Sequence, residues 1–207
     1  IKRIGVLRAD VDNLGQTFVA GFAGKYATLS RTAALSRQLS IFFKYYIRSI
    51  LKNGEYHIDG EKKLTERNAT IVYSGGDDVF IVGAWNEVIE LSIDLQEKFK
   101  KYTQGTLSIS SGIGIYECTY PIGAIANETG EMEAESKRMP EKDSVTFMDD
   151  GETHLINELE ICDGTYRWEE LYKSVLGEKY DVIQDFLGES DERGMSFLYR
   201  MLELIRN

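Results

Sequence analysis

The chain has 207 residues, 43% hydrophobic and 28% charged, with a formal net charge of -10. That length builds one full domain with a sizeable core, or a domain plus a small appendage. The acidic balance argues against a general nucleic-acid coat, and no apolar run approaches the roughly 20 residues of a bilayer span, so no membrane partner is expected.

The chain opens Ile1-Lys2-Arg3-Ile4-Gly5, with no initiator methionine and no signal-peptide pattern, and a strand begins at once; a piece of a longer protein is expected. Ile4 to Ala9 reads as a short buried strand, and Asp10-Val11-Asp12-Asn13-Leu14-Gly15 ends it with turn-forming residues. Residues 16–28 read as a loop or short helix. A long helix follows, capped by Thr28 or Ser30, with Leu35, Leu39, Phe42, Phe43, Tyr46 and Ile50 on one face. Residues 52–68 are polar and charged, as expected of a surface loop.

Ala69 to Tyr73 and Val79 to Gly83 are β-prone runs around the Gly-rich turn Ser74-Gly75-Gly76-Asp77-Asp78, which predicts a hairpin. Asn86 suits the cap of a second helix, with Val88, Leu91, Leu95 and Phe99 inward. Leu107 to Ile115 alternates as a strand. Pro121 suits the first turn of a third helix running to about Arg138. Val145 to Met148 reads as an edge strand. Beyond Gly151, the segments Trp168–Leu176, Tyr180–Leu187 and Gly194–Ile205 read as short amphipathic helices. The pattern predicts an α+β chain: a ferredoxin-like βαββαβ palm with an antiparallel sheet over residues 1–150, then a small all-α domain over 151–207.

Charge is uneven along the chain. Residues 1–68 carry 12 Lys and Arg against 6 Asp and Glu, while residues 69–150 carry 6 against 15. The basic third would suit phosphates or RNA, or simply a solvated helix surface. Cys118 and Cys162, with no neighbouring histidine, cannot form a four-ligand zinc site and read as reduced, partly buried thiols of a cytoplasmic protein. His57 and His154 have no evident partner, which leaves a Ser–His–acid hydrolase unsupported.

The topology gives the acidic residues a meaning. The first crossover makes strands one and two run in the same direction, so the hairpin turn lies at the sheet end where strand one finishes. Asp10, Asp77 and Asp78 then converge, and three carboxylates repel one another unless a cation sits between them. Two hard divalent cations, Mg²⁺ or Mn²⁺, fit oxygen donors and bring substrate phosphates with them. Gly75 and Gly76 let a nucleotide approach the backbone, and Ser74 and Asn13 lie near enough to touch it. Taken alone, Gly-Gly-Asp-Asp reads first as a plain hairpin turn. What points beyond a turn is the pair of apolar strands around it, the delivery of Asp10 to it, and the repulsion between adjacent acids that no turn requires. Asp12 and Asn13 also fit an Asx turn, and Asp12 fits a supporting role behind the ligands. Lys137 and Arg138 suit either the helix dipole or a triphosphate clamp.

Arg8-Ala9-Asp10-Val11-Asp12-Asn13-Leu14-Gly15, then Leu29-Ser30-Arg31, then Tyr73-Ser74-Gly75-Gly76-Asp77-Asp78-Val79-Phe80 closely resemble the second palm domain of the large subunit of type III CRISPR effector complexes, nearest the III-A branch. Ser110-Ser111-Gly112-Ile113-Gly114 and Thr129-Gly130-Glu131-Met132-Glu133 fit the same pattern. The resemblance covers residues 1–148, and the tail resembles that family's C-terminal domain. It implies metal-dependent polymerisation of ATP into cyclic oligoadenylate once the complex has bound target RNA. It further implies two metal ions on Asp10, Asp77 and Asp78 with the Val11 carbonyl as a further ligand, and ATP contacts from Val11, Asn13, Gly15, Ser74, Gly75, Gly76 and Lys137. The implied partners are the other subunits of a type III-A complex, its crRNA and target RNA, and the first palm of the same protein. That palm, the HD nuclease domain and the zinc module have no counterpart in these residues, and residues 22–28 and 52–68 look short for the family. Two other readings are a diguanylate-cyclase-like palm, which usually carries Gly-Gly-Asp/Glu-Glu-Phe, and a scaffold palm that docks CRISPR subunits without catalysis.

Overall fold

A computed structural model describes residues 3–60, 63–149 and 151–188. The chain divides into two compact units, Ile1–Trp168 and Glu169–Asn207. In the first, a six-stranded sheet has the order β2-β3-β1-β4-β5-β8, built from β1 (Arg3–Val11), β2 (Ala69–Gly75), β3 (Asp78–Ala84), β4 (Ile109–Glu117), β5 (Ser144–Phe147) and β8 (Thr165–Arg167). Strand β1 is antiparallel to both β3 and β4, and β2 is antiparallel to β3. Strands β1 and β2 therefore share a direction, as the crossover rule requires. This is the palm order with an addition: β5 lies parallel to β4, and β8 antiparallel to β5.

Strand β1 is covered on both faces, which is why Val6, Leu7 and Ala9 are all fully buried. One face carries α2 (Leu29–Ile41) with its continuation α3 (Ile47–Lys52), and α4 (Trp85–Tyr102). The other carries α5 (Ile122–Ser136), packed on β4, β5 and β1. Between α2 and α3 the backbone widens into a π-helical turn, Phe42–Tyr46. The turn absorbs one extra residue, so Phe42 and Phe43 both point inward, against Phe99 of α4. It also shifts the stripe. Tyr46, expected inside, is half exposed, and Ile47 takes the buried position.

Several expected boundaries move. Thr28 and Pro121 are the N-caps of α2 and α5, and α4 starts at Trp85, after Ala84 rather than Asn86. Between residues 12 and 28 the chain forms α1 (Leu14–Ala20) and a 3₁₀ turn at Gly24–Tyr26. Strand β5 is not an edge, because β8 covers it. The expected break near residue 150 is displaced to Trp168. Residues 153–167 are strands: a hairpin of β6 (Thr153–Ile156) and β7 (Leu159–Cys162), then β8. Backbone pairing with β5 holds β8 to the first unit, and Trp168 Nε1 donates to the Ile109 carbonyl at 2.8 Å.

Most of the described residues between 52 and 68 are exposed, as expected of a surface loop, but one charge is buried. Arg67, 4% exposed, donates to Glu90 and Asp94 of α4 and to the Tyr56 carbonyl. The Glu55 and Tyr56 amides donate to Asp94, and the Ile58 amide to Glu90. The segment is a strap pinned by this buried arginine, while Lys52, Glu55, Asp59, Lys63 and Glu66 stay exposed. His57 lies within it, Nε2 2.6 Å from the Lys63 carbonyl, and His154 meets Asp163 at 2.7 Å across the β6–β7 hairpin, so both histidines have structural partners. Cys118 is exposed and Cys162 buried, with no disulfide between them.

The second unit is helical where it is described, with Leu171–Lys179 as a π-helical stretch followed by an α-helix at Tyr180–Gly188. The helix expected at Gly194–Ile205 lies outside the described residues. Among the described residues no helix is long and apolar enough to cross a membrane.

Candidate active site

The sheet register assembles the acidic residues. Asp10 is paired across β1 with Asp78 of β3 on one side and with Ser110 of β4 on the other. Gly75 pairs with Asp78, which leaves Gly76 and Asp77 as a two-residue turn. Gly76 has φ 54, the left-handed region where a side chain is strained. The Val11 amide donates to the Asp77 carbonyl at 3.1 Å, so the end of β1 is tied to that turn by the backbone itself.

Burial raises the Asp77 carboxyl above the ordinary carboxylate range, and the charges of Asp10 and Asp78 raise it further. Asp78 in turn raises the phenol of Tyr73, first by its charge and also by accepting its hydrogen bond. The three acids repel one another at the end of the sheet, as carboxylates without a cation must.

Among the described residues a cation does reach them. Lys137, the C-cap of α5, donates from Nζ to Asp10 Oδ2 and, at 2.7 Å, to Glu133 Oε1. Burial alone would lower the Lys137 ammonium, but the bonds and charges of Asp10 and Glu133 outweigh it, and the net shift is upward. Lys137 therefore remains charged. Arg138 turns away onto Glu135 at 2.8 Å, so of the two basic residues only Lys137 faces the acids.

Other expected contact residues sit around this centre. Asn13 adopts a left-handed conformation, φ 53, and its Oδ1 accepts from Lys142 at 2.8 Å. The space beside Gly15 is open. Ser74 donates its hydroxyl to the Phe43 carbonyl at 2.6 Å, so that group ties β2 to the π turn rather than joining the acids. Asp12 is buried, and its Oδ2 accepts from Ser108 Oγ at 2.7 Å and from the Asp143 amide at 3.2 Å. It anchors the turn that follows α5, in which Glu141, Lys142 and Asp143 all have positive φ.

Two residues without an assigned role in the sequence belong to the site. Arg8 Nε meets Glu133 Oε2 at 2.8 Å, and Glu133 is 8% exposed. Their signal was faint: Arg8 sits two residues before Asp10 on the same strand face, and Glu133 one helical turn before Lys137.

Among the described residues no group of three Asp, Glu, His or Cys side chains is placed so as to hold a metal ion by itself. The donor chemistry nevertheless fits a hard cation: an all-oxygen set in which burial first, and the charges of Asp10 and Asp78 next, raise the Asp77 carboxyl. Mg²⁺ is ordinarily held by one or two carboxylates and completed by substrate phosphates and water.

Comparison with known proteins adds the family. The description "Cas10/Cmr2, second palm domain" matches residues 3–146. The chain is 46% identical over 210 residues to the CRISPR system single-strand-specific deoxyribonuclease Cas10/Csm1 (subtype III-A) of Mycobacterium tuberculosis, covering 99% of this chain and 24% of that protein. It is 42% identical to the protein of the same description from Enterococcus italicus, covering 100% and 24%. Among solved structures it is similar to a Csm1-Csm4 cassette in complex with one ATP, with a TM-score of 0.68 and 31% identity over 83% of this chain and 24% of that one. It is equally similar to a Csm1-Csm4 cassette in complex with cA4, with a TM-score of 0.68 and 28% identity over 90% and 28%. The chain spans about a quarter of the length of these relatives.

Proposed function

Since the chain belongs to the Cas10/Cmr2 second palm domain family, we propose that it is the catalytic palm of a cytoplasmic type III-A CRISPR complex, polymerising ATP into cyclic oligoadenylate when the complex binds target RNA. The observation that carries this reading is the register that sets Asp10 opposite Asp78, with Asp77 in the turn between β2 and β3. The ligands of the similar structures, ATP and the cyclic oligoadenylates cA3 and cA4, support ATP as the substrate. The Csm4 in those structures supports a subunit of that kind as a partner, with crRNA and target RNA reached through the complex and a first palm facing the site.

Asp10, Asp77 and Asp78 would hold two Mg²⁺ or Mn²⁺ ions, with the Val11 carbonyl as a further donor. When bound, the ions would polarise the attacking 3′-hydroxyl and offset charge on the departing pyrophosphate. A bond forms from the 3′-oxygen to the α-phosphorus, the bond to pyrophosphate breaks, and the hydroxyl proton is released. Lys137 supplies a permanent positive charge beside the acids, suited to a phosphate. Gly76 leaves the turn open to a nucleotide, and Tyr73 orients Asp78.

The test is the reconstituted complex, supplied with target RNA, ATP and Mg²⁺ or Mn²⁺. Cyclic oligoadenylate is the expected product, lost when Asp77 and Asp78 are replaced by Ala while assembly persists. Synthesis retained in that variant, or turnover of GTP in place of ATP, would sink the proposal.

A further inference from the structure

Helix α5 buries an unexpected residue. Its inward stripe is Ile125, Thr129, Glu133 and Ser136. A carboxylate on such a stripe is costly unless paired, by several kcal/mol, and a leucine there would pack without that cost. Glu133 is paired twice: Arg8 donates to one oxygen at 2.8 Å and Lys137 to the other at 2.7 Å. Lys137 also donates to Asp10. The charges thus alternate from Arg8 to Glu133 to Lys137 to Asp10, linking the helix to the acidic end of β1. A cation placed on Asp10 would face the Lys137 ammonium at close range, and like charges repel.

Resting on the reading of Asp10 as a metal ligand, we infer that Glu133 is a positioning residue that shares Lys137 with Asp10. Without a divalent cation, Lys137 stands in for it on Asp10. When a cation takes Asp10, Lys137 withdraws toward Glu133 and stays tethered at the edge of the site, where a nucleotide phosphate can receive it. Arg8 holds the far oxygen of Glu133, so the carboxylate keeps its direction while Lys137 changes partner.

Mn²⁺ binding, followed by electron paramagnetic resonance without nucleotide on the full-length large subunit that carries this palm, tests the inference. Lys137→Met should tighten Mn²⁺ binding on the order of tenfold, the effect of releasing one charge-assisted hydrogen bond. Glu133→Gln, nearly isosteric, should weaken it about threefold or more by leaving Lys137 wholly on Asp10. It should also raise KM for ATP more than it lowers kcat. Combining the two changes should restore the Lys137→Met affinity, because Glu133 acts only through Lys137. Glu133→Asp, which keeps the charge, should recover binding toward the original value. Unchanged or weaker Mn²⁺ binding in Lys137→Met overturns the inference, as does Glu133→Asp as weak as Glu133→Gln. So does a double variant weaker than Lys137→Met alone. Mn²⁺ binding indifferent to Asp77→Asn and Asp78→Asn overturns the metal reading itself. Binding lost in those variants, yet unmoved by changes at 133 and 137, overturns only the role given to Glu133.

Discussion

Gly112 is the position where the packing of the sheet and the geometry of the site meet. It lies on β4, directly across from Arg8, at the closest approach of α5. A Cβ there would fall 2.5 Å from the Thr129 carbonyl oxygen, 2.6 Å from the Glu133 amide and 2.7 Å from Met132 Cβ. Two of these neighbours are backbone, so no side chain can swing clear. To regain ordinary contact of 3.4 Å the helix must retreat by about 0.9 Å. Overpacking of this kind costs about 1–3 kcal/mol, which for a chain of this size lowers Tm by roughly 2–12 °C. The same retreat carries Glu133 and Lys137 away from Asp10, and a misplacement near 1 Å can cost on the order of 100-fold in rate. The measurement pairs a thermal melt with oligoadenylate synthesis by the reconstituted complex carrying Gly112→Ala. Gly123→Ala, in the first turn of α5 with open space around it, is the control and should leave both nearly unchanged. Wild-type melting in Gly112→Ala would refute the packing argument. A lowered Tm with undiminished synthesis would refute the link between the seating of α5 and the site.

Asp77→Asn should reduce synthesis on the order of 1000-fold, since metal-borne charge stabilisation is worth several kcal/mol, and product chromatography reads this directly. The folded state raises the Asp77 pKa through burial and its acidic neighbours. Its contribution to stability is therefore present below the ordinary carboxylate pKa and lost as pH rises through the folded value. Metal-free Asp77→Asn should accordingly melt higher than wild type near neutral pH, with the gap closing as pH falls into the carboxylate range; a gap independent of pH would contradict the repulsion. Added Mg²⁺ or Mn²⁺ should raise the Tm of the wild type and have little effect on a chain lacking Asp77 and Asp78, as binding linkage requires. Arg67→Met should cost about 3–5 kcal/mol in urea unfolding, because Glu90 and Asp94 would be left buried without their cation.

The hairpin and its acidic turn were legible because their signals are local: two β-prone runs, then glycines where the backbone needs φ 54. The meeting of Asp10 with Asp77 and Asp78 was legible too, because the handedness of one crossover fixes the direction of β2 and hence the end at which its turn lies. The β6–β7 hairpin was not. Its turn residues Asn157 and Glu158 both have positive φ, but Asn-Glu lacks the glycine that usually announces such a turn. Strand β8 has only three residues and exists through its pairing with β5. The described residues of the 52–68 strap are largely exposed, as their charge announced, but the charge pattern could not mark Arg67 as the buried one. Only tertiary packing placed Arg67 between Glu90 and Asp94.

By itself, the sequence determined the order of the palm elements, the turn chemistry and the presence of three acids at one sheet end, all set by backbone sterics and chain direction. The tertiary structure decided which charges neutralise which. Arg8 and Asp10 come from β1, Glu133 and Lys137 from α5 and its C-cap, and only the seating of α5 against Gly112 brings them within bonding distance. Electrostatic pairing depends on distances between segments remote in sequence, and those distances are set by packing.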